Sequence, residues 1–222
     1  MSSKSTPVFT YTFITACVLV FFGSLALPTS SFLSVLDEYA VQPASFIISS
    51  NFVSFITYMF LHVDIQHLAS NMFVLLGVGR AVESEIGSVK FGLVFLGAGA
   101  FSGFAHVLFN QESAMNVIGA SGAIFGAIAV LLLLMPFKFT SALLLPVPGV
   151  VLGLSMLAVE ITSLMSGSDT FVAHDVHLYG FVAGTVASFG LDYNRALKGL
   201  VISVIVVLGL YYWVYYLNGL SI

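Results

Sequence analysis

Ser121 and His177 stand in long apolar stretches, and together a serine hydroxyl and an imidazole can do nucleophilic chemistry. A hydroxyl is a weak nucleophile until a base such as histidine accepts its proton. His67 and Asn71 form a second polar pair; four residues apart, they share one helix face and offer hydrogen-bond donors. Each residue also has an ordinary alternative role. A serine in a membrane helix commonly bonds to its own backbone, and a lone histidine is more often a satisfied buried residue.

The composition places these residues in a membrane protein. Of the 222 residues, 59% are hydrophobic and 7% are charged, and the mean hydropathy is +1.08. Roughly a quarter of the residues in a soluble domain are charged, so a soluble chain could not cover its surface with so few. Runs of about 20 apolar residues recur without the alternation of barrel strands, which predicts an all-α integral membrane protein. The net charge of −4 gives no reason to expect nucleic acid as a partner, and the single Cys17 excludes an intrachain disulfide.

Seven apolar stretches are predicted to cross the membrane as one compact bundle, so the whole chain, 1–222, is expected to form a single membrane domain. Each stretch is close to the roughly 20 residues that a bilayer requires. They lie near residues 8–27, 64–83, 90–110, 116–135, 141–165, 171–191 and 199–218. The one long connection, residues 28–63, is rich in apolar side chains and is predicted to be a structured segment in the membrane interface. No signal peptide is expected, because the first stretch is too long and lacks a small-residue cleavage site.

The basic residues predict the orientation of the bundle. With the N-terminus in the cytoplasm, all Lys and Arg residues fall on or beside the cytoplasmic side, as the positive-inside rule requires. They are Lys4, Arg80, Lys90, Lys138, Arg195 and Lys198. The opposite loops carry acidic residues and no basic one. We therefore expect a multi-pass protein of the plasma (inner) membrane, although an organelle membrane would be compatible with the same pattern.

This orientation brings the polar residues to one depth. The second, fourth and sixth stretches all enter from the outer face. At 1.5 Å per residue, His67, Asn71, Ser121 and His177 each lie roughly 5–10 Å below the start of their helix. Interhelical hydrogen bonding could explain any one of these residues. It explains less well why polar residues of three different helices lie at the same depth. Because ionisable groups are costly to bury in a membrane, the agreement predicts a functional site open to the outer side.

Glycines in two of these stretches would let their helices approach closely. Gly180 and Gly184 follow His177 at i+3 and i+7, and Gly122 and Gly126 form a matching pair in the fourth stretch. Faces without side chains allow the close backbone approach that a Ser–His hydrogen bond of about 2.6–3.2 Å requires. Ordinary membrane packing uses the same pattern, so the glycines alone do not predict catalysis.

Three short motifs, in this order, resemble those of the rhomboid family of intramembrane serine proteases. They are H-L-A-S-N at residues 67–71, G-A-S-G at residues 119–122 and H-L-Y-G-F-V-A-G at residues 177–184. F-L-H ending at His62 and G-R-A-V-E-S-E-I-G from Gly79 add to the resemblance, which covers about residues 50–191. It implies a six-helix core, about residues 8–191, with one extra C-terminal helix near residues 199–218.

The resemblance also implies a role for each residue of the site. Ser121 would be the nucleophile and His177 its general base. His67 and Asn71, with the backbone N–H of Ser121, would stabilise the oxyanion. Phe125, one turn after Ser121, is expected to pack on the imidazole. The small residues expected to support the site are Gly119, Gly122, Gly180 and Gly184.

A Ser–His dyad without a third member is predicted. Asp175 is only two residues from His177 and so points to a different helix face, and Glu160 in the fifth stretch is expected to lie too deep. His106 is expected to pack within the third stretch and His174 to lie near the outer mouth of the sixth, neither with a catalytic role. His62 matches a family position that supports the site.

The expected partners are transmembrane segments of substrate proteins and the surrounding lipids, and the sequence does not indicate the oligomeric state. No cofactor or metal is expected, because no metal-ligand spacing such as H-E-x-x-H occurs. The chain departs from the family where Val53 and Ser54 replace the Trp-Arg pair common in its first loop. Two other functions remain as alternatives: a rhomboid-like protein that binds membrane clients without cutting them, and a small transporter. The presence of both Ser121 and His177 argues against the first, and the lack of internal repeats argues against the second.

Overall fold

The computed structural model describes residues 6–143, 145–167 and 172–217. Helices dominate these ranges, with one small antiparallel hairpin. The helices are α1 (Val8–Leu25), α2 (Thr29–Tyr39), α3 (Pro43–Ser49), α4 (Ser54–Thr57), α5 (Ile65–Ile86), α6 (Ser88–Phe109), α7 (Ser121–Leu134), α8 (Gly149–Ser166), α9 (His174–Leu191) and α10 (Tyr193–Tyr212). The strands β1 (Phe139–Leu143) and β2 (Leu145–Pro148) form the hairpin. A 3-10 turn (Tyr58–Phe60) follows α4, and a π-helical segment (Trp213–Leu217) follows α10.

Several of these helices are long and apolar enough to cross a bilayer, which makes this a multi-pass integral membrane protein. In the described part of the chain, α1, α6, α8 and the run Tyr193–Tyr216 meet that requirement. A fifth crossing results if Ser54–Phe60 and α5, which are bent by 99°, count as one span. Length and composition thus support four or five crossings, and the count of seven stays a prediction.

Helix α7 is the centre of the bundle. Every residue from Gly122 to Leu134 is buried, against α5, α6, α8, α9 and α10. Its 14 residues extend only about 21 Å, less than the roughly 30 Å of a hydrocarbon core. Such a short helix can begin well below the surface because surrounding helices, and not lipid, cover its ends.

The chain immediately before α7 is not helical, although the fourth stretch was predicted to begin near residue 116. Val117 and Val41 exchange two backbone hydrogen bonds, of 3.1 and 2.8 Å. The Gly119 N–H donates to the Tyr58 carbonyl at 2.9 Å, and Gly119 has φ of +110°, a conformation that glycine adopts without strain. These bonds draw the backbone away from helical geometry until residue 120. They also show that the 28–63 connection is structured, as predicted.

The fifth stretch, predicted as a helix over 141–165, begins instead with the β-hairpin, and α8 starts at Gly149. Pro146 and Pro148 explain the difference, since proline has no N–H to donate and disfavours helical geometry in the residue before it. The hairpin packs on α5, where a Cβ at Gly77 would lie 2.8 Å from the backbone of β1. Over the described residues, the fold is all-α as predicted, apart from this one short hairpin.

The two ends of α7 differ in chemistry. At the C-terminal end, Arg195 Nη2 donates to the Leu134 carbonyl and to the Glu85 carboxylate, both at 3.0 Å, and Lys138 Nζ lies 3.5 Å from Glu85. Ser121 lies at the opposite end, roughly 20 Å away at 1.5 Å per residue. Basic residues therefore gather at the end away from Ser121. The predicted orientation, with the site on the outer side, agrees with this arrangement and stays a prediction.

Candidate active site

Helices α7 and α9 bring Ser121 and His177 together. Nε2 of His177 lies 2.7 Å from Oγ of Ser121, a hydrogen-bond distance. A Cβ at Gly180 would overlap the carbonyl group of Gly122, and a Cβ at Gly184 would meet the α7 backbone in the same way one turn further on. The close approach predicted from the glycine spacing is present. The catalytic roles of the two residues stay a prediction.

Phe125 packs flat against the imidazole of His177. The ring centroids are 4.6 Å apart and the planes differ by 8°. Phe125 lies one turn after Ser121, so one helix carries both the hydroxyl and the ring that orients its hydrogen-bond partner. Stacking restricts rotation of the imidazole and so keeps Nε2 directed at Ser121. The contact predicted for Phe125 is confirmed.

His67 and Asn71 lie on α5, facing the segment that leads into α7. A Cβ at Gly119 would lie 2.6 Å from Nε2 of His67, so only glycine leaves room for this imidazole. Nδ2 of Asn71 donates to the His67 carbonyl at 2.9 Å. The ring of His62 packs edge-on against His67 with centroids 5.0 Å apart, which supports its position. The role of His67 and Asn71 as oxyanion donors stays a prediction.

One cavity of about 890 Å³ joins these groups. Ser121, His177, His67 and Asn71 all line it, together with apolar side chains of α7, α8 and the segment before α7. Its volume falls in the range of roughly 300–1,000 Å³ that is usual for ligand sites. A cavity with apolar walls can accommodate an apolar peptide segment, and the polar groups gathered at one place in it can act on one bond of that segment.

Glu160 also reaches His177, so the expectation that it lies too deep is wrong. Its Oε2 is 3.0 Å from Nδ1 of His177 and 2.6 Å from Nδ1 of His174. Depth counts from the nearer helix end, and α8 ends at Ser166, six residues or roughly 9 Å beyond Glu160. His177 lies three residues, or roughly 4.5 Å, from the start of α9, so both side chains lie within two turns of these neighbouring helix ends. The N–H direction at Nδ1 of His177 does not align with the carboxylate oxygen as a hydrogen bond, so this contact is electrostatic.

Asp175 faces away from His177, as predicted. Its Oδ2 lies 2.7 Å from Nδ1 of His106 and accepts a hydrogen bond from Nδ2 of Asn110 at 2.9 Å. His106 is buried in α6, so its predicted packing role holds, and it also forms a polar contact between α6 and α9. Asp175 therefore helps to position α9 without contacting the imidazole of His177.

The direction of the hydrogen bond between His177 and Ser121 depends on which nitrogen of the imidazole carries the proton. A neutral imidazole has one N–H and one lone pair. When Nε2 accepts the O–H of Ser121, Nδ1 carries the proton and faces the carboxylate of Glu160. The negative charge favours this tautomer, and it would also favour the imidazolium formed if Nε2 took up the serine proton.

Glu160 and His174, which the sequence reasoning left outside the site, join His177 in one cluster. Each of the three side chains offers one ligand atom, and the three atoms lie within 4.8 Å of one another. The i, i+3 spacing of the two histidines places both on one helix face and was the available signal. The position of Glu160 depends on how α8 packs on α9, which no local pattern encodes.

The family model described as Rhomboid domain matches residues 49–194 of this chain. The rhomboid protease GluP of Bacillus subtilis (strain 168) is 36% identical over 126 residues, which cover 57% of this chain and 24% of that protein. Rhomboid-like protein 11, chloroplastic, of Arabidopsis thaliana is 33% identical over 140 residues, covering 60% of this chain and 50% of that protein. RHOMBOID-like protein 2 of the same plant is 41% identical over 68 residues, covering 31% and 21%. The matched regions thus span half or less of the length of these relatives.

Proposed function

This chain belongs to the rhomboid family, and we propose that it is an intramembrane serine endopeptidase that cuts peptide bonds in or near transmembrane segments of other membrane proteins. The observation that carries the proposal is the 2.7 Å contact between Nε2 of His177 and Oγ of Ser121. The similarity to GluP, which is named a protease, supports it. Relatives named only rhomboid-like leave room for the alternative, a protein that binds membrane clients without cutting them.

In the first step, Oγ of Ser121 attacks the carbonyl carbon of the scissile bond while its proton moves to Nε2 of His177. The carbonyl oxygen becomes an oxyanion. Collapse of this intermediate breaks the C–N bond, and the imidazolium gives its proton to the leaving amine. Water then attacks the acyl-enzyme with His177 again as base, which releases the second product and restores the hydroxyl.

Ser121 itself and two residues that line its cavity would supply the donors for the oxyanion. Ser121 is the first residue of α7, so its backbone N–H belongs to the helix turn whose N–H groups have no partner within the helix. The positive end of the helix dipole also favours negative charge there. His67 and Asn71 line the same cavity and would add side-chain donors, each worth roughly 3–4 kcal/mol in the transition state.

Water and substrate must both reach Ser121. Hydrolysis consumes water, which the bilayer interior lacks, so the cavity of about 890 Å³ would open to the outer side. A peptide bond held within a helix is shielded from attack, and substrates should therefore carry helix-breaking or small residues near the cut. The 28–63 connection and α8 are the candidates for a lateral gate through which such a segment enters.

The same proposal includes the topology. A six-crossing core with one extra C-terminal helix, the N-terminus in the cytoplasm and the site toward the outer side of a plasma membrane would fit the chain. The distribution of basic residues supports it, because Lys138 and Arg195 lie near the end of α7 opposite Ser121. Lipids and membrane-protein substrates are the partners that follow from it.

Labelling with a fluorophosphonate probe tests the proposal directly, since this reagent modifies an activated serine. The purified protein should be labelled, and Ser121→Ala and His177→Ala should each abolish labelling while the protein stays folded. Ser155→Ala is the matched control, because Ser155 lies in α8 and its hydroxyl only donates to the Leu152 carbonyl at 3.0 Å. A folded wild-type protein that the probe does not label would favour client binding without cleavage.

A further inference from the structure

The cluster of Glu160, His174 and His177 has the composition of a metal site. Its side chains are 9%, 11% and 13% exposed, respectively. Oε2 of Glu160 is 2.6 Å from Nδ1 of His174 and 3.0 Å from Nδ1 of His177. Nδ1 of His177 is buried and makes no aligned hydrogen bond to any described residue. Its hydrogen-bonding capacity is therefore unsatisfied, although it lies beside a carboxylate.

Two imidazole nitrogens and one carboxylate oxygen are a ligand set that binds Zn²⁺ in proteins, with water at the fourth position. Bonds of about 2.0–2.2 Å place the ligand atoms of a tetrahedral Zn²⁺ about 3.3 Å apart. The two oxygen–nitrogen distances are shorter than this by less than about 1 Å, which small side-chain rotations can supply. Mg²⁺ and Ca²⁺ prefer all-oxygen sites and fit this cluster poorly.

An ion also has a route to the cluster. Glu160 and His177 line the large cavity that contains Ser121, while His174 lines a second cavity of about 490 Å³ with residues of α6 and α9. The cluster therefore lies between two cavities, and an ion in either cavity can reach it without crossing the packed core of the bundle.

We propose that Glu160, His174 and His177 bind Zn²⁺ and that the bound ion switches off the site, an inference that rests on the proposed function for its inhibitory effect. Zn²⁺ takes the lone pair of Nδ1 of His177, and the single proton of the neutral ring then resides on Nε2. Nε2 can donate a hydrogen bond to Ser121 in that state but cannot accept its proton. The metal thus removes the base through a change of tautomer, with the fold and the nucleophile unchanged.

Metal binding is measured first, and without reference to activity. The detergent-solubilised full-length chain is stripped with EDTA, dialysed against Zn²⁺ and analysed for bound metal. We expect one Zn²⁺ per chain in the wild type and in Ser121→Ala, and loss of tight binding in His174→Ala and Glu160→Gln. His106→Gln is the matched control, because His106 is a buried histidine beside one carboxylate, Asp175, and should leave the stoichiometry at one. Co²⁺ in place of Zn²⁺ should show the visible absorption of a tetrahedral site.

Inhibition is measured next, as the rate of fluorophosphonate labelling against Zn²⁺ concentration, relative to the metal-free rate of each variant. Zn²⁺ should stop labelling of the wild type, and EDTA should restore it. The half-inhibitory concentration should rise by about tenfold or more in His174→Ala. His174→Gln serves as a second variant if the alanine variant fails to fold.

Wild-type protein that binds no Zn²⁺, or a folded His174 variant that binds it equally well, would overturn the metal site. Zn²⁺-loaded protein labelled at the metal-free rate would overturn the inhibitory effect. If the proposed protease function is wrong, the metal-free wild type would not be labelled at all. One Zn²⁺ per chain in the wild type, and its loss in the His174 variants, would still support the metal site in that case.

Discussion

Gly180→Ala tests whether the contact between α7 and α9 creates the site. The new Cβ would overlap the carbonyl group of Gly122, the residue after Ser121, at a distance that real Cβ atoms essentially never show. Both colliding groups belong to helix backbones, so a side-chain rotation cannot relieve the overlap. Helix α9 must therefore move away from α7 by about 1 Å or more, since a packed interior has no spare space.

That movement determines the size of the effect. It would lengthen the 2.7 Å contact between His177 and Ser121 beyond about 3.5 Å, where a hydrogen bond is no longer made. A misplacement of about 1 Å in a catalytic group commonly costs about 100-fold in rate. Two factors of ten correspond to about 2.7 kcal/mol of transition-state stabilisation. We therefore expect fluorophosphonate labelling and cleavage of a transmembrane substrate to fall by about 100-fold.

Gly190→Ala is the matched control for this prediction. Gly190 lies in the same helix, and a Cβ there would meet nothing within 4 Å. Alanine favours a helix over glycine by about 1 kcal/mol, so this variant should be at least as stable as the wild type and equally active. Thermal unfolding of both variants separates a displaced helix from a collapsed bundle. Gly180→Ala labelled at the wild-type rate, with unchanged thermal unfolding, would refute the reasoning.

Three further substitutions test other contacts of the site. Asn71→Ala should lower the cleavage rate by about 10²- to 10³-fold with little change in thermal unfolding, because one of several oxyanion donors is lost. A complete loss of cleavage would indicate a structural role for Asn71 instead. Gly119→Ala should reduce cleavage by about tenfold or more and lower the free energy of unfolding by about 1–3 kcal/mol. Alanine is strained at φ of +110°, and its Cβ would displace His67. Wild-type kinetics and stability would contradict this account. Phe125→Ala should slow labelling and lower the unfolding temperature, because the imidazole of His177 loses its stacking partner. Phe125→Tyr should keep most of the labelling rate. Equal rates for the two variants would show that the ring does not orient the base.

The sequence alone determined the class of the protein, and with the family resemblance it predicted that Ser121 and His177 meet. Composition is sufficient for the class, because a chain with so few charged residues cannot cover a soluble surface. Helical periodicity is local and supplied part of this prediction. Gly180 and Gly184 follow His177 at i+3 and i+7, and Gly122 and Gly126, also four residues apart, follow Ser121 in α7. Each pair of glycines lies within one apolar stretch, so its spacing can be recognised without knowing the tertiary structure.

Only the tertiary structure decided where α7 begins, what precedes α8 and which carboxylate faces the imidazole. The start of α7 at Ser121 depends on backbone hydrogen bonds to Val41 and Tyr58, which are distant in sequence. Pro146 and Pro148 indicated a break, but the hairpin forms against α5. Glu160 reaches His177 because of the vertical offset and rotation of α8 against α9. Those two quantities arise from side-chain packing between helices, and hydrophobic periodicity within one helix does not contain them.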